Sequence, residues 1–154
     1  MNVTDILVRH YTNYVVNGKK SELLKHCYIG EGAYRTCYSF GDKVYKFECV
    51  EYTESCNEIE FDIFPRSDIF PVVYDFKEFF IQDDVLEEIY KIHLLVVEKI
   101  LGDEQKYSDN WLKYLTIIEN KCSESRLNVP NDLHGNTVIT HEGKVKILDA
   151  AGNR

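Results

Sequence analysis

The stretch IGEGAYRTCYSFGDKVYKF occupies residues 29–47 and alternates β-rich runs with glycine-containing turns. Val, Ile, Thr, Tyr and Phe favour extended backbone, so three short strands are predicted here. The predicted strands are Cys27–Gly30, Thr36–Phe40 and Lys43–Phe47. Turn signals at Gly30-Glu31-Gly32 and Gly41-Asp42 separate them, and the second predicts a hairpin. The stretch therefore indicates an antiparallel sheet.

The rest of the chain combines helical and extended patterns. Helices are predicted over Asp5–Val16, Glu51–Phe64 and Asp109–Leu127. Further strands are predicted over Pro71–Phe76, Phe79–Gln82, His93–Ile100, Thr137–Thr140 and Lys144–Leu148. Most strands are close in sequence to the strands they would pair with, so we expect antiparallel pairing and an α+β domain.

Composition and charge bound the functional class. A chain of 154 residues with 44% hydrophobic residues is expected to form one domain with its own core. A net charge of −8 argues against nucleic-acid binding, which needs clustered Lys and Arg. No stretch has the apolar length of a signal peptide or a membrane span, so we expect no membrane partner. The five cysteines include no C-x-x-C pair, which favours thiols in a reducing cytoplasm.

Two features of the opening stretch are candidates for phosphate binding. Gly30 and Gly32 lack a Cβ, so backbone N–H groups beside them can approach an anionic ligand. Lys46 stands in an apolar strand, where its ammonium could be held over the sheet to meet phosphate oxygens. A tight hairpin turn and an edge-strand lysine reaching solvent would explain the same residues without a ligand. Both alternatives stay open at this point.

Oxygen-bearing side chains recur near the end of the chain. Asp132 and Asn136 flank a turn, and Asp149 ends a predicted strand. Mg²⁺ prefers a few carboxylate or amide oxygens together with phosphate and water, so these residues are candidate ligands. Turn chemistry alone also favours Asp and Asn at such positions.

Taken together and in this order, the motifs resemble those of the protein kinase superfamily. They look most like the small kinase-like and aminoglycoside-phosphotransferase-like proteins of bacteria and phages. Gly30 to Tyr38 is similar to the Gly-rich loop, and Lys46 matches the strand lysine, eleven residues after Arg35.

The second half of the chain carries the rest of the resemblance. Leu95 to Ile100 looks like the apolar strand that enters the adenine-binding hinge. Asp132-Leu133-His134-Gly135-Asn136 is similar to the D-L-H-x-x-N catalytic loop, and Ile147-Leu148-Asp149 resembles the strand that ends in the metal-binding Asp.

This resemblance implies a single minimal domain that uses ATP and Mg²⁺. Residues 27–100 would form an antiparallel N-lobe-like sheet with a helix, and residues 101–154 a truncated C-terminal lobe with a catalytic-loop hairpin. The implied catalytic residues are Asp132, Lys46 and Glu58, with Glu54 and Glu60 as alternative partners of Lys46. The implied nucleotide contacts are Gly30, Gly32, Arg35, Lys46, Glu98 and Ile100. The implied metal ligands are Asn136 and Asp149.

Departures from the family pattern leave more than one function open. Arg35 stands at the third glycine, Pro130 replaces a usual histidine, and Asn136 follows Asp132 one residue early. The sequence stops at Arg154, so we expect either a reduced family fold or a fragment. One expectation is Mg-ATP binding with transfer of the γ-phosphate to a hydroxyl. The alternatives are an inactive pseudokinase that binds or inhibits a host or partner protein, and a small α+β interaction domain whose Gly and Asp residues only form turns.

Overall fold

Helices and two antiparallel sheets make up the fold in a computed structural model that describes residues 2–19, 28–31, 35–51, 55–104, 110–133 and 135–150. The α-helices in these ranges are α1 (Val3–Asn17), α2 (Cys56–Ile63) and α3 (Trp111–Glu124). A short 3₁₀ helix, Phe64–Arg66, follows α2. This architecture confirms the predicted α+β class.

The larger sheet has five strands in the order β1-β2-β3-β5-β4. Its strands are β1 (Tyr28–Glu31), β2 (Arg35–Phe40), β3 (Lys43–Cys49), β4 (Val73–Asp83) and β5 (Glu88–Glu98). A smaller three-stranded sheet has the order β6-β7-β8. Its strands are β6 (Gly102–Glu104), β7 (Thr137–Thr140) and β8 (Val145–Ile147). Every pair of neighbouring strands among these is antiparallel.

The hairpin predicted at Gly41 is confirmed. β2 and β3 pair from Arg35 opposite Glu48 to Phe40 opposite Lys43. Gly41 has φ of 61°, a left-handed conformation that glycine adopts without steric cost. The turn chemistry of the sequence therefore fixed the register of this pair.

The predicted break between Pro71–Phe76 and Phe79–Gln82 is wrong, because β4 runs unbroken from Val73 to Asp83. β5 likewise begins at Glu88, five residues before the predicted start at His93. The two strands form a long hairpin, and Oδ1 of Asp83 accepts hydrogen bonds from two backbone N–H groups of its turn. The outer part of this hairpin is largely solvent-exposed, including the apolar side chains of Phe80 and Ile89.

The larger sheet is covered on both faces. On one face α1 packs Leu7 and Tyr11 against it, and the Tyr11 ring stacks on Phe47 with centroids 4.5 Å apart. The other face meets α2, α3 and β8 in a core that contains Ile59, Leu95, Ile118 and Ile147. Successive strand residues point to opposite faces, so Phe47 lies under α1 while Lys46 faces α2. Among the described helices, none is long and apolar enough to cross a membrane.

Candidate functional site

Lys46 lies inside the protein, between the sheet and α2. Its side chain is buried, and the ammonium donates to Oε1 of Glu60 at 2.7 Å. It also donates to the carbonyl oxygen of Leu148 at 2.9 Å. Lys46 thus connects strand β3 to helix α2 and to the residue that precedes Asp149. The alternative in which Lys46 lies on an edge strand and reaches solvent is wrong, because β3 lies between β2 and β5.

Arg35, the first residue of β2, is the second buried cation of the site. Its guanidinium meets Glu60 with two N–H groups, Nη1–Oε1 at 2.5 Å and Nη2–Oε2 at 3.2 Å. Nη2 also lies 3.0 Å from Oδ2 of Asp149, and Nη1 donates to Oδ1 of Asn57 at 3.2 Å. Burial alone lowers the pKa of Arg35, but the Glu60 carboxylate outweighs it and holds the pKa above its ordinary value.

Glu60 is the anion at the centre of the site. Its side chain is 0% exposed, and besides the two cations it accepts a hydrogen bond from the Ala150 backbone N–H at 2.8 Å. Arg35, Lys46, Glu60 and Asp149 together carry two positive and two negative charges. Buried charges are tolerated when they are paired and hydrogen-bonded in this way. These four residues are called the charge cluster below.

The prediction of Glu58 as the partner of Lys46 is corrected to Glu60, which was one of the two alternatives. Glu58 and Glu60 are two residues apart, about 200° around a helix, so their side chains leave α2 in different directions. Oε2 of Glu58 instead accepts from the Ser55 N–H at 3.4 Å, while the Glu58 N–H donates to Ser55 Oγ at 3.0 Å. Glu54, the other alternative, lies outside the described residues.

A sequence signal could have identified Glu60. Ser55-Cys56-Asn57-Glu58 has the S-x-x-E pattern of a capping box, and the structure forms that box at the start of α2. The box places Ser55 before the helix and Glu58 in its first turn, whereas a helix from Glu51 was predicted. Because Glu58 serves the capping box, Glu60 in the second turn is the glutamate left to pair with Lys46.

Asn57 is a site residue that the sequence did not indicate. It is fully buried, and its Nδ2 donates to the carbonyl oxygens of Lys46 at 2.8 Å and His93 at 3.0 Å. Glu48 of β3 accepts the backbone N–H groups of Asn57 at 2.8 Å and Cys56 at 2.9 Å. A carboxylate at a helix N-terminus also interacts favourably with the helix dipole. These hydrogen bonds therefore hold the first turn of α2 against β3. They thereby set the position of Glu60 relative to the sheet.

Cys37 lies beside the charge cluster, opposite Lys46 in the pairing of β2 with β3. Burial raises the pKa of its thiol, although the nearby Lys46 and Arg35 act in the opposite direction. The side chain is thus a neutral thiol at neutral pH.

The predicted metal ligands lie at adjoining ends of β7 and β8. The Leu148 N–H donates to the carbonyl oxygen of Asn136 at 2.8 Å, which places Asn136 beside the residue before Asp149. Nδ2 of Asn136 donates to the carbonyl oxygen of Asp132 at 3.1 Å, so its amide oxygen is the atom that would ligate a cation. The Asp149 side chain is 40% exposed, and Asp132 is exposed. Carboxylate and amide oxygens of this kind fit Mg²⁺.

The remaining predicted contacts are only partly described. Gly30 is a β1 residue opposite Cys37, whereas Gly32 lies outside the described residues, as does His134 of the catalytic-loop motif. Glu98 ends β5, and its Oε1 accepts from the Val72 N–H at 3.2 Å. Ile100 lies between β5 and β6 and is half-buried, so the predicted end of β5 at Ile100 is two residues too late.

No protein-family model matches the chain. No curated protein matches it either.

Proposed function

We propose that the chain is a minimal kinase-like protein that binds Mg-ATP at the charge cluster and transfers the γ-phosphate to a hydroxyl acceptor. The observation that supports this most is the contact of Lys46 with Glu60. In protein kinases, a lysine of the third strand pairs with a helix glutamate, and an Asp and an Asn hold the metal ions. Lys46 is on β3 and Glu60 on the following helix, and both contact the Leu148–Ala150 segment that contains Asp149.

The long sequence separations within the cluster strengthen the proposal. Lys46 and Leu148 are 102 residues apart, and Glu60 and Ala150 are 90 residues apart. Turns explain local Gly and Asp residues, but they do not bring a buried lysine to the segment after β8 that contains Asp149. The convergence therefore favours a nucleotide site over a small interaction domain in which these residues only form turns.

Each residue has a role in the proposed mechanism. Lys46 binds phosphate oxygens, and Glu60 holds its ammonium in place. Asn136 and Asp149 would hold Mg²⁺, which would neutralise charge on the phosphates when bound. Asp132 is exposed and accepts the proton of the acceptor hydroxyl, whose oxygen forms the new bond to the γ-phosphorus while the bond to ADP breaks.

A non-catalytic pseudokinase that binds a partner protein is the second candidate, and the contact of Arg35 with Asp149 favours it. Nη2 of Arg35 lies 3.0 Å from the carboxylate that would ligate Mg²⁺. A fixed guanidinium there would compete with the metal for the same oxygen. If the guanidinium stays in place, the ion pair maintains the fold and Asp149 does not bind a metal ion.

Calorimetric titration with ATP, with and without Mg²⁺, tests the site. Wild type is compared with Asp149→Asn and with the control Asp62→Asn, whose carboxylate is 65% exposed and pairs with Arg66 at 2.6 Å. We expect saturable binding that requires Mg²⁺ and Asp149 and is unchanged in the control. Absence of binding up to about millimolar ATP, in protein shown to be folded, would refute the nucleotide site.

A second measurement separates phosphoryl transfer from binding. Release of phosphate and incorporation of labelled phosphate into the protein are followed with wild type and Asp132→Asn. Enzymatic function predicts that Asp132→Asn keeps ATP affinity but loses turnover by about 10²-fold or more, the usual contribution of a general base. Equal, negligible turnover in both proteins with intact ATP binding would favour the non-catalytic candidate.

A further inference from the structure

A second cluster of ionisable side chains lies between α2 and the β4–β5 hairpin, separate from the charge cluster. It consists of Glu58 of α2, Glu78 of β4 and His93 of β5, whose ligand atoms all lie within 4.8 Å of one another. Nε2 of His93 is 2.8 Å from Oε2 of Glu78 and 3.6 Å from Oε1 of Glu58. One imidazole nitrogen and two carboxylate oxygens, from three different elements, therefore point to one place.

These distances fit the coordination shell of a small transition-metal ion. Bonds of about 2.0–2.2 Å in a tetrahedral shell put neighbouring ligand atoms roughly 3.3–3.6 Å apart. The two observed separations lie around that range, at 2.8 and 3.6 Å. Widening the His93–Glu78 contact by about 0.5 Å would bring it into that range. The two glutamate side chains are partly exposed, so they have room to move.

The histidine is held in the orientation that a metal ligand needs. The His93 side chain is 0% exposed, and its Nδ1 lies 2.6 Å from Oγ of Ser55. With a metal on Nε2, Nδ1 carries the proton and donates it to Ser55. The hydroxyl oxygen has two acceptor sites and already accepts from the Glu58 N–H. Such a partner on the second ring nitrogen is characteristic of histidines that bind metals.

The local charge also favours a cation. Two carboxylates face the imidazole, and a nearby cation is Lys91, whose Nζ lies 3.4 Å from Glu78. Lys91 is 42% exposed and can turn toward solvent. A nitrogen ligand favours transition metals over Mg²⁺ and Ca²⁺, which prefer oxygen ligands alone.

We propose that Glu58, Glu78 and His93 bind a divalent transition-metal ion such as Zn²⁺, with a fourth position left to water. The ion joins α2 to the β4–β5 hairpin. It is separate from the Mg²⁺ of the proposed nucleotide site, because Glu58 and Glu60 leave α2 in different directions.

Titration with Zn²⁺ alone, by calorimetry and by thermal unfolding, tests the proposal. Wild type is compared with Glu58→Gln, Glu78→Gln and the control Glu142→Gln, an exposed residue of the β7–β8 turn. Glu58→Gln retains the capping box, and Glu78 is partly exposed, so both variants should fold. We expect one bound Zn²⁺, a raised unfolding temperature, and affinity at least about tenfold weaker in each site variant than in the control.

The absorption spectrum of the Co²⁺-substituted protein distinguishes this site from the cysteines. We expect the weak visible bands of a nitrogen and oxygen site without thiolate charge transfer. Thiolate charge transfer, Zn²⁺ affinity equal in site variants and control, or no binding by folded wild type would each overturn the proposal.

Discussion

Arg35 and Glu60 form a bidentate ion pair inside the protein, although they are 25 positions apart in the sequence. The Nη1–Oε1 distance is 2.5 Å and the Nη2–Oε2 distance is 3.2 Å. Glu60 also contacts Lys46, so one buried carboxylate is shared by two cations. Removing one member of a buried pair is costly because the remaining charge stays in a medium of low dielectric constant. Glu60 is therefore the member of the charge cluster whose removal should destabilise the protein most.

Replacement of Glu60 should be far more damaging than replacement of Glu58. Glu60→Gln leaves two buried cations without that carboxylate, and we expect a loss of about 3–5 kcal/mol in the free energy of unfolding. Glu58→Gln keeps the capping box and should cost less than about 1 kcal/mol without added metal. Urea denaturation at pH 7 measures both. Similar losses in the two variants would contradict the assignment of Glu60.

Asn57→Ala should destabilise the protein although no charge is removed. The change leaves the carbonyl oxygens of Lys46 and His93 without their amide donor. Each unsatisfied buried group costs about 1–3 kcal/mol, so we expect a total loss of roughly 2–6 kcal/mol in urea denaturation. The matched control is Asn17→Ala at the exposed end of α1, expected to stay within about 0.5 kcal/mol of wild type. A change within about 0.5 kcal/mol in the stability of Asn57→Ala would show that water donates to the two carbonyl oxygens in place of the amide.

Lys46→Ala should weaken ATP binding without unfolding the protein, since Arg35 still neutralises Glu60. Hydrogen bonds to charged groups contribute about 1.5–3 kcal/mol, which corresponds to a loss of roughly 10- to 150-fold in affinity. Calorimetry with Mg-ATP measures this loss. Lys144→Ala, which removes a lysine side chain that is 67% exposed, serves as the control. Unchanged affinity in Lys46→Ala would remove Lys46 from the site.

Tyr90 should titrate well above an ordinary tyrosine. Its hydroxyl donates to Oε2 of Glu88 at 2.7 Å, and this hydrogen bond raises the pKa of Tyr90 to about 12. The raised value belongs to the folded state, so the stability that Tyr90 contributes is complete below the ordinary pKa of about 10. It is lost as the pH rises toward 12.

Ultraviolet difference titration of wild type against Tyr90→Phe isolates this ionisation. Glu88→Gln should return the pKa of Tyr90 toward its ordinary value, because the carboxylate that disfavours the tyrosinate is gone. The same pKa in wild type and Glu88→Gln would contradict the role of Glu88.

Local features of the fold could be predicted from the sequence, whereas contacts between distant segments could not. Gly41 indicated its hairpin because the turn needs a left-handed residue. The capping box of Ser55 and Glu58 marks the start of α2 and gives Glu58 a role there, which leaves Glu60 to pair with Lys46. Nothing local to Asn57 indicates that it bridges β3 and β5, because that role exists only once the helix packs on the sheet.

The charge cluster also joins β3 and α2 to the segment that follows β8. Lys46 and Glu60 hold Leu148 and Ala150, while the Ile147 N–H donates to the Ile69 carbonyl oxygen at 2.7 Å. A ligand that needs both Lys46 and Asp149 binds only when these segments are docked. Its binding is thus thermodynamically linked to docking, and a ligand at 100 times its Kd would stabilise the docked state by about 2.7 kcal/mol. Hydrogen exchange at the amides of Ile147 and Ala150 would then slow by the factor by which the ligand-free fraction falls, so these two amides report on a site formed by side chains.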